Sequence, residues 1–314
     1  MQTILGSGGA IGTELAKALK AYTSDIRLVS RSPKKVNDSD ALFAADILDT
    51  KALKKAIHGS SIVYVTVGFT YSHKEWAEKW VPFIENVITF CSEENCKLVF
   101  FDNIYMYDPS FLNGMTEETP VNPPSKKGAV RAKVTRMILD AIASNKIQAL
   151  IARSADFYGP SISNNSLLTE MVFKPLSQGK KANWLVSDRY VHSFTYTIDA
   201  AVATALLGNT DTAYGQVWHL PTASAPYTGK QWIEHIAKGL GTKPTIQLAP
   251  KFLIKIMGIF NPIMRESVEM LYQYDRDYVF DSSKFEKAFD YTPTPYELGI
   301  KKIIETDYKQ IKDK

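Results

Sequence analysis

Leu5 runs into Gly6-Ser7-Gly8-Gly9-Ala10-Ile11-Gly12 and then into a helical run from Thr13 to Ala21. Three glycines at this spacing, between an apolar strand and a helix, leave few folds open. Gly6 permits the tight turn, Gly9 lets backbone come close to a pyrophosphate, and Gly12 lets the helix pack on the strand. The helix N-terminus then turns unpaired N–H groups and the positive end of its dipole toward phosphate. A plain structural turn is the alternative. Strand, glycines and helix nevertheless fall in the order a dinucleotide site requires.

The rest of the first half repeats the theme. Short apolar runs at Thr3–Leu5, Ile26–Ser30, Leu42–Ala44, Ile62–Thr66, Leu98–Phe101 and Ala149–Ala152 alternate with helical patterns. Such alternation, with right-handed crossovers, builds an α/β, Rossmann-like, doubly wound parallel sheet. One helix puts Trp76, Trp80, Phe83, Ile84, Val87 and Cys91 on a single face. Another, from about Gly128 to Ser144, is expected to bury Val130, Val134, Met137, Ile138, Ala141 and Ile142. After residue 155 the regularity breaks, and loops such as Tyr158–Ser166, Pro221–Gly229 and Tyr291–Pro295 separate single elements. The expected division is a cofactor domain over 1–155 and a smaller C-terminal substrate lobe over 156–314, with about 183–220 returning to the first domain.

Composition narrows the partners. A hydrophobic share of 45% suits a globular core, and 37 Lys plus Arg against 33 Asp plus Glu leaves a net charge of +4. That excess is spread along the chain, so no nucleic acid or polybasic membrane partner is expected. Cys91 and Cys96 read as buried or idle thiols, and the five histidines lack ligand spacing, so no metal is expected. The start of the chain lacks a signal-like segment and no stretch is apolar enough to span a bilayer, which points to a cytoplasmic protein without a membrane partner. The apolar stretch Phe252–Phe260 is suggestive of a membrane-surface helix. With only Lys251 and Lys255 as flanking charges, lining a pocket or making a lobe contact is the favoured expectation.

The cofactor is also addressed by charge. The second strand ends at Val29-Ser30-Arg31-Ser32, without the carboxylate that would bind the ribose 2′-hydroxyl of NAD. Arg31, with Lys34 and Lys35 nearby, could pair with the 2′-phosphate of NADP, which favours NADP over NAD. Asp46 follows the third strand, where its carboxylate could accept from an adenine amino group. Its alternative role is a helix cap, which Asp49 or Thr50 would fill better. The cofactor candidates are Gly6, Ser7, Gly9, Ala10, Ile11, Gly12, Ser30, Arg31, Asp46, Ile47, Val67, Gly68, Asn103 and Lys127.

These residues resemble the extended and atypical short-chain dehydrogenases/reductases, the NAD-dependent epimerase/dehydratase family, over nearly the whole chain. The likeness includes the glycine turn, Asp46-Ile47, Arg153…Tyr158-Gly159-Pro160, Phe194-Thr195-Tyr196-Thr197-Ile198-Asp199, and Asp281-Ser282-Ser283-Lys284…Thr292-Pro293. The resemblance implies a Tyr-x-x-x-Lys pair on the helix after the fifth strand, a tyrosine acid/base beside a lysine. Here that segment reads Pro124-Ser125-Lys126-Lys127-Gly128-Ala129-Val130-Arg131, which sets Lys127 at the tyrosine and Arg131 at the lysine. The pair is missing. Asp102-Asn103-Ile104-Tyr105-Met106-Tyr107 with Lys127-Gly128…Arg131-Ala132 is similar to an atypical epimerase-like subgroup without an assigned reaction.

The catalytic candidates are therefore Lys127, Tyr105 and Arg131, with Asp102 as an orienting group. Arg131 can bind ribose hydroxyls or phosphate but stays protonated and cannot be a base. Each has a plainer reading: a solvated Lys127 at a helix start, tyrosines packing over a pocket, Asp102 and Asn103 capping a loop. Tyr107, Tyr158 and His192 fall where the resemblance puts substrate-facing loops, although packing is the favoured reading of His192. The expectation is an NAD(P)-dependent oxidoreductase or epimerase/dehydratase-like enzyme with a modified site, acting on a small-molecule carbonyl, alcohol or nucleotide sugar. The alternative is a non-enzymatic NADP(H)-binding sensor. A monomer or homodimer suits either.

Overall fold

The structure is a computed structural model describing residues 1–162 and 166–309; residues 163–165 of the Tyr158–Ser166 loop lie outside the described residues. The chain divides into two compact units. The first comprises Met1–Met106, Lys126–Ser154 and Ala200–Leu220. The second comprises Tyr107–Ser125, Ala155–Asp199 and Pro221–Lys314. The return to the first unit thus begins at Ala200, and 107–125 leaves it.

The first unit is a seven-stranded parallel sheet. Its strands are β1 (Gln2–Leu5), β2 (Ile26–Ser30), β3 (Ala41–Ala44), β4 (Ile62–Val65), β5 (Lys97–Asp102), β6 (Ala149–Arg153) and, late in the chain, Val217–His219. The chain-order labels continue through the second unit: β7 (Asp156–Tyr158), β8 (Ala182–Leu185) and β9 (Phe194–Tyr196), so that Val217–His219 is β10 and Ile246–Ala249 is β11. The spatial order β10-β6-β5-β4-β1-β2-β3 reverses direction between β1 and β4. Ligands of such sheets bind outside the strand C-termini at that switch point. All six runs read from the sequence are strands of this sheet.

Helices of this unit are α1 (Ala10–Leu19), α2 (Thr50–Ile57), α3 (His73–Glu93) and α4 (Lys126–Ala143). Asp49 caps α2, accepting from Lys51 N and Ala52 N, which leaves Asp46 free of that task. In α3, Trp76, Trp80, Phe83, Ile84, Val87 and Cys91 are buried together, as their period requires. The buried face of α4 differs from the apolar reading. Lys127, Arg131 and Thr135 are buried in line with Val134, Ile138 and Ala141, whereas Val130, Met137 and Ile142 are only partly covered. Apolar periodicity misplaces this face because a buried carboxylate, described below, provides Arg131 and Thr135 with a partner.

The second unit holds a β7–β9 pair and a β8–β11 pair, both parallel. Its helices, continuing in order, are α5 (Lys174–Ser177), α6 (Thr197–Gly208, which passes into the first unit), α7 (Gly229–Leu240), α8 (Lys251–Phe260), α9 (Pro262–Ser267), α10 (Ser283–Phe289) and α11 (Tyr296–Asp307). Its core is aromatic: Tyr158, Phe194, Tyr196, Trp232 and Tyr296 pack in one cluster. The stretch expected to line a pocket or make a lobe contact, Phe252–Phe260, forms α8, with Ile254 and Gly258 buried and much of its apolar side exposed.

Candidate functional site

The glycine turn is built by close backbone approach. Gly6 has φ +95°, and a Cβ there would lie 2.9 Å from Val67 N. Its N–H donates to Val29 O at 3.0 Å, and Ser7 N donates to the same oxygen at 3.2 Å. At Gly12 a Cβ would lie 2.5 Å from Gly6 O and 2.9 Å from Ser7 Cα, so α1 could not pack this close with any larger residue. Thr66 completes the turn, its hydroxyl donating to Leu5 O at 3.1 Å. Gly9 is the α1 N-cap, with no side chain to satisfy the first amides, and Gly8 and Gly9 are exposed. Helix-terminal N–H groups of Ala10, Ile11 and Gly12 therefore face the switch point. Ser7 Oγ and Ser30 Oγ, at the ends of β1 and β2, are buried with no hydrogen-bond partner among the described residues.

The strand ends beside this turn carry the other cofactor candidates. Arg31, Lys34 and Lys35 are all exposed after β2. Asp46 is exposed, with Oδ1 accepting from Leu48 N at 3.0 Å. Val67 is partly covered, and Gly68 is exposed with nothing within 4 Å of a built Cβ.

At the end of β5 the structure gathers a buried ion cluster. Asp102 Oδ1 accepts from Arg131 Nε at 2.8 Å, from Arg131 Nη2 and from Asn103 N at 2.8 Å. Its Oδ2 accepts from Thr135 Oγ1 at 3.0 Å and Arg153 Nη2 at 3.3 Å. The Arg131 guanidinium also lies 4.3 Å from the Trp80 ring centroid and 4.8 Å from that of Phe100. Arg131 is thus spent on the protein interior, and it is 3% exposed. Thr135 and Arg153 belong to this cluster and are absent from the sequence reading of the site; no spacing links 102, 135 and 153, although β5 and β6 are neighbours in the sheet.

Lys127 is 0% exposed, which overturns its reading as a solvated side chain at a helix start. Its Nζ lies 4.4 Å from the ring centroid of Tyr71. Tyr71 in turn meets Trp76 edge-on at 6.0 Å, and Tyr105 stacks on Trp76 at 6.1 Å. A cation and three aromatic rings therefore form one cluster at the ends of β4 and β5. Tyr71 and Trp76 were not singled out as site residues from sequence, though both follow β4 directly. Asn103 Oδ1 accepts from Tyr105 N at 3.0 Å, so the Asp102–Asn103 pair does shape this loop.

Comparison with known proteins identifies the family and the fold. The model of the NAD dependent epimerase/dehydratase family matches residues 3–218. The chain belongs to that family. It is by family an NAD-dependent enzyme of the oxidoreductase and epimerase type. Among solved structures, UDP-glucose 4-epimerase of Thermus thermophilus in complex with NAD is 17% identical with a TM-score of 0.78, covering 98% of each chain. The dTDP-glucose 4,6-dehydratase of Bacillus anthracis str. Ames, also with NAD, is 17% identical with a TM-score of 0.80, covering 99% of this chain and 98% of that one. The DesIV dTDP-glucose 4,6-dehydratase of Streptomyces venezuelae, a double mutant with NAD bound, is 15% identical with a TM-score of 0.79 over 99% and 98%. No curated protein matches the chain.

In this member of the epimerase/dehydratase family the three residues expected to face substrate are all buried. Tyr107 forms an isolated bridge with Val121. Tyr158 sits in the aromatic core, and burial holds its phenol well above the ordinary tyrosine range. His192 is stacked between Tyr278 at 4.1 Å and Tyr274 at 4.9 Å, with Nε2 3.0 Å from Asp156 Oδ2. Tyr274 donates to the same carboxylate oxygen at 3.2 Å. The favoured packing reading of His192 therefore describes its surroundings.

Proposed function

We propose that this protein binds NADP(H) in preference to NAD(H), and that Tyr105 is the group that gives or takes the proton at an alcohol or carbonyl substrate. The observation that carries the assignment is burial. Lys127, Arg131 and Asp102 are enclosed by protein, whereas Tyr105 alone among the four catalytic candidates keeps accessible surface. Asp102 and Arg131 then act as positioning residues under the β5 loop. Lys127 supplies a fixed positive charge behind Tyr71 in the same aromatic cluster.

The residues present fit a dinucleotide. Gly6, Ser7, Gly9, Ala10, Ile11 and Gly12 offer amides and a side-chain-free cradle to the pyrophosphate. Ser30 and Arg31 would meet a 2′-phosphate, Asp46 and Ile47 the adenine, and Val67, Gly68 and Asn103 the ring nearer the sheet centre. When bound, the nicotinamide supplies hydride chemistry. The solved neighbours hold NAD, so the preference for NADP rests on Arg31 and the absence of a carboxylate after β2. Neighbours that act on UDP-glucose or dTDP-glucose suggest a sugar substrate, yet the missing Tyr-x-x-x-Lys pair disfavours nucleotide-sugar epimerisation as such.

Calorimetric titration with NADP(H) and NAD(H), followed by turnover of a panel of carbonyl and nucleotide-sugar substrates, tests this. Tyr105→Phe is expected to lower kcat about 100-fold or more while leaving the cofactor Kd unchanged. Arg31→Ala is expected to erase a preference for NADP(H) of about tenfold. Tight binding without turnover in the unmodified protein would return the chain to the sensor reading. A preference for NAD(H) would overturn the assignment of Arg31.

A further inference from the structure

Helix α8 has its buried side where a core helix should, at Ile254 and Gly258, with Ile254 packed against Leu185, Leu271 and Tyr274. A Cβ at Gly258 would lie 3.0 Å from Arg265 Cα, so α9 crosses α8 closely at this glycine. Asn261 and Pro262 make the turn between them, Asn261 Oδ1 accepting from Ile263 N at 2.9 Å. The opposite side is the unusual one. Phe252, Ile256, Ile259, Phe260 and Ile263 follow one helical stripe into the turn, and all are exposed, Ile259 to 71% and Phe260 to 85%. Scattered exposed apolar residues are ordinary on a soluble protein, but a contiguous patch marks an interaction surface.

Charge decides what the patch fits. From His235 to Arg265 the chain contains no Asp or Glu and five basic residues, Lys238, Lys243, Lys251, Lys255 and Arg265. Lys251 is paired with Asp275, while Lys243, Lys255 and Arg265 are exposed. We propose that the α8–α9 turn is a membrane-surface anchor, seating Phe260 and its neighbours in the headgroup boundary of an anionic bilayer while Lys255 and Arg265 hold lipid phosphates. Apolar residues on one side and lysine or arginine at the margins are what interfacial helices use, and long cationic side chains reach outward to the headgroups. A second copy of the chain fits less well, because a two-fold contact would set this basic patch against itself. Among the described residues no helix is long and apolar enough to cross a membrane, so the protein would lie on the surface. The mild net charge of the whole chain conceals this local asymmetry, which is why composition argued against a membrane partner.

Flotation of the full chain with vesicles tests the proposal. The protein should rise with vesicles containing about a third phosphatidylglycerol at low salt, and remain below with pure phosphatidylcholine. Binding should fall about tenfold or more at about 0.5 M salt. The Ile259→Ser/Phe260→Ser and Lys255→Glu/Arg265→Glu variants should each bind anionic vesicles about tenfold more weakly, with unchanged melting temperature and cofactor binding, since these side chains are exposed. No flotation with anionic vesicles, or equal flotation with both lipids, would overturn the proposal. So would a dimer in sedimentation that Phe260→Ser dissociates without any change in vesicle binding.

Discussion

Replacing Asp102 by asparagine keeps the shape of the side chain and removes a carboxylate that joins two guanidiniums. In the native arrangement the carboxylate accepts from Arg131 through two nitrogens, from Arg153, from Thr135 and from the Asn103 amide. Asparagine can still accept at one oxygen, but it turns an NH2 group toward donors on the other side. The Thr135 hydroxyl can rotate to accept; the Arg153 guanidinium has no acceptor to offer. With Arg131 and Arg153 both almost fully buried, their charge cannot be recovered by water. Breaking a buried pair in this way costs about 3–5 kcal/mol, against about 0–1 kcal/mol for an exposed one. Urea unfolding followed by tryptophan emission measures it, because the Arg131 guanidinium lies against Trp80. Adding Arg131→Met should restore part of the loss by removing the orphaned charge, with a coupling of about 1–3 kcal/mol. A loss below about 1 kcal/mol in Asp102→Asn would refute the view that this cluster holds the β5 end in place.

Further outcomes rest on the same geometry. Gly12→Ala should push α1 away from the turn at a cost of about 1–3 kcal/mol, and calorimetry should show NADP(H) binding weakened about tenfold. Tyr158→Phe should leave the melting temperature of the protein unchanged or slightly raised, because the phenol oxygen is buried with no hydrogen-bond partner among the described residues. Gly299→Ala, whose Cβ would overlap that same hydroxyl, should lower it. Asp199 accepts from Thr294 N at 2.7 Å, yet burial outweighs its hydrogen bonds and raises its carboxyl above the ordinary value. A raised folded pKa means folding favours the protonated form, so this stabilisation is present at low pH and fades as pH rises through the folded value. Asp199→Asn should flatten the fall of melting temperature with pH that begins above the ordinary aspartate value of about 4.

Much of the scaffold was legible because it is local. Gly6, Gly9 and Gly12 specify their turn by lacking side chains, and the six strand runs and the Trp76–Cys91 face follow from period alone. The catalytic candidates could not be sorted that way. The resemblance sets Lys127 and Arg131 where the family's pair is expected, but linear pattern does not show that Arg131 turns inward, since its partner Asp102 lies 29 residues earlier on another element. Nor does it show that Lys127 is enclosed while Tyr105 is not, or that Tyr107, Tyr158 and His192 are packed inside. Burial is set by what the rest of the chain brings over a side chain. The α8 stripe repeats the lesson: its residues are as apolar as any core helix, and only packing shows that Ile254 faces inward and Phe260 outward. Sequence alone determined the glycine turn, the sheet and the family resemblance, because backbone sterics and short-range period are written into consecutive residues. Which polar groups are enclosed and which keep accessible surface was decided by tertiary contacts, where a buried charge is stable only beside a partner that the fold has carried to it.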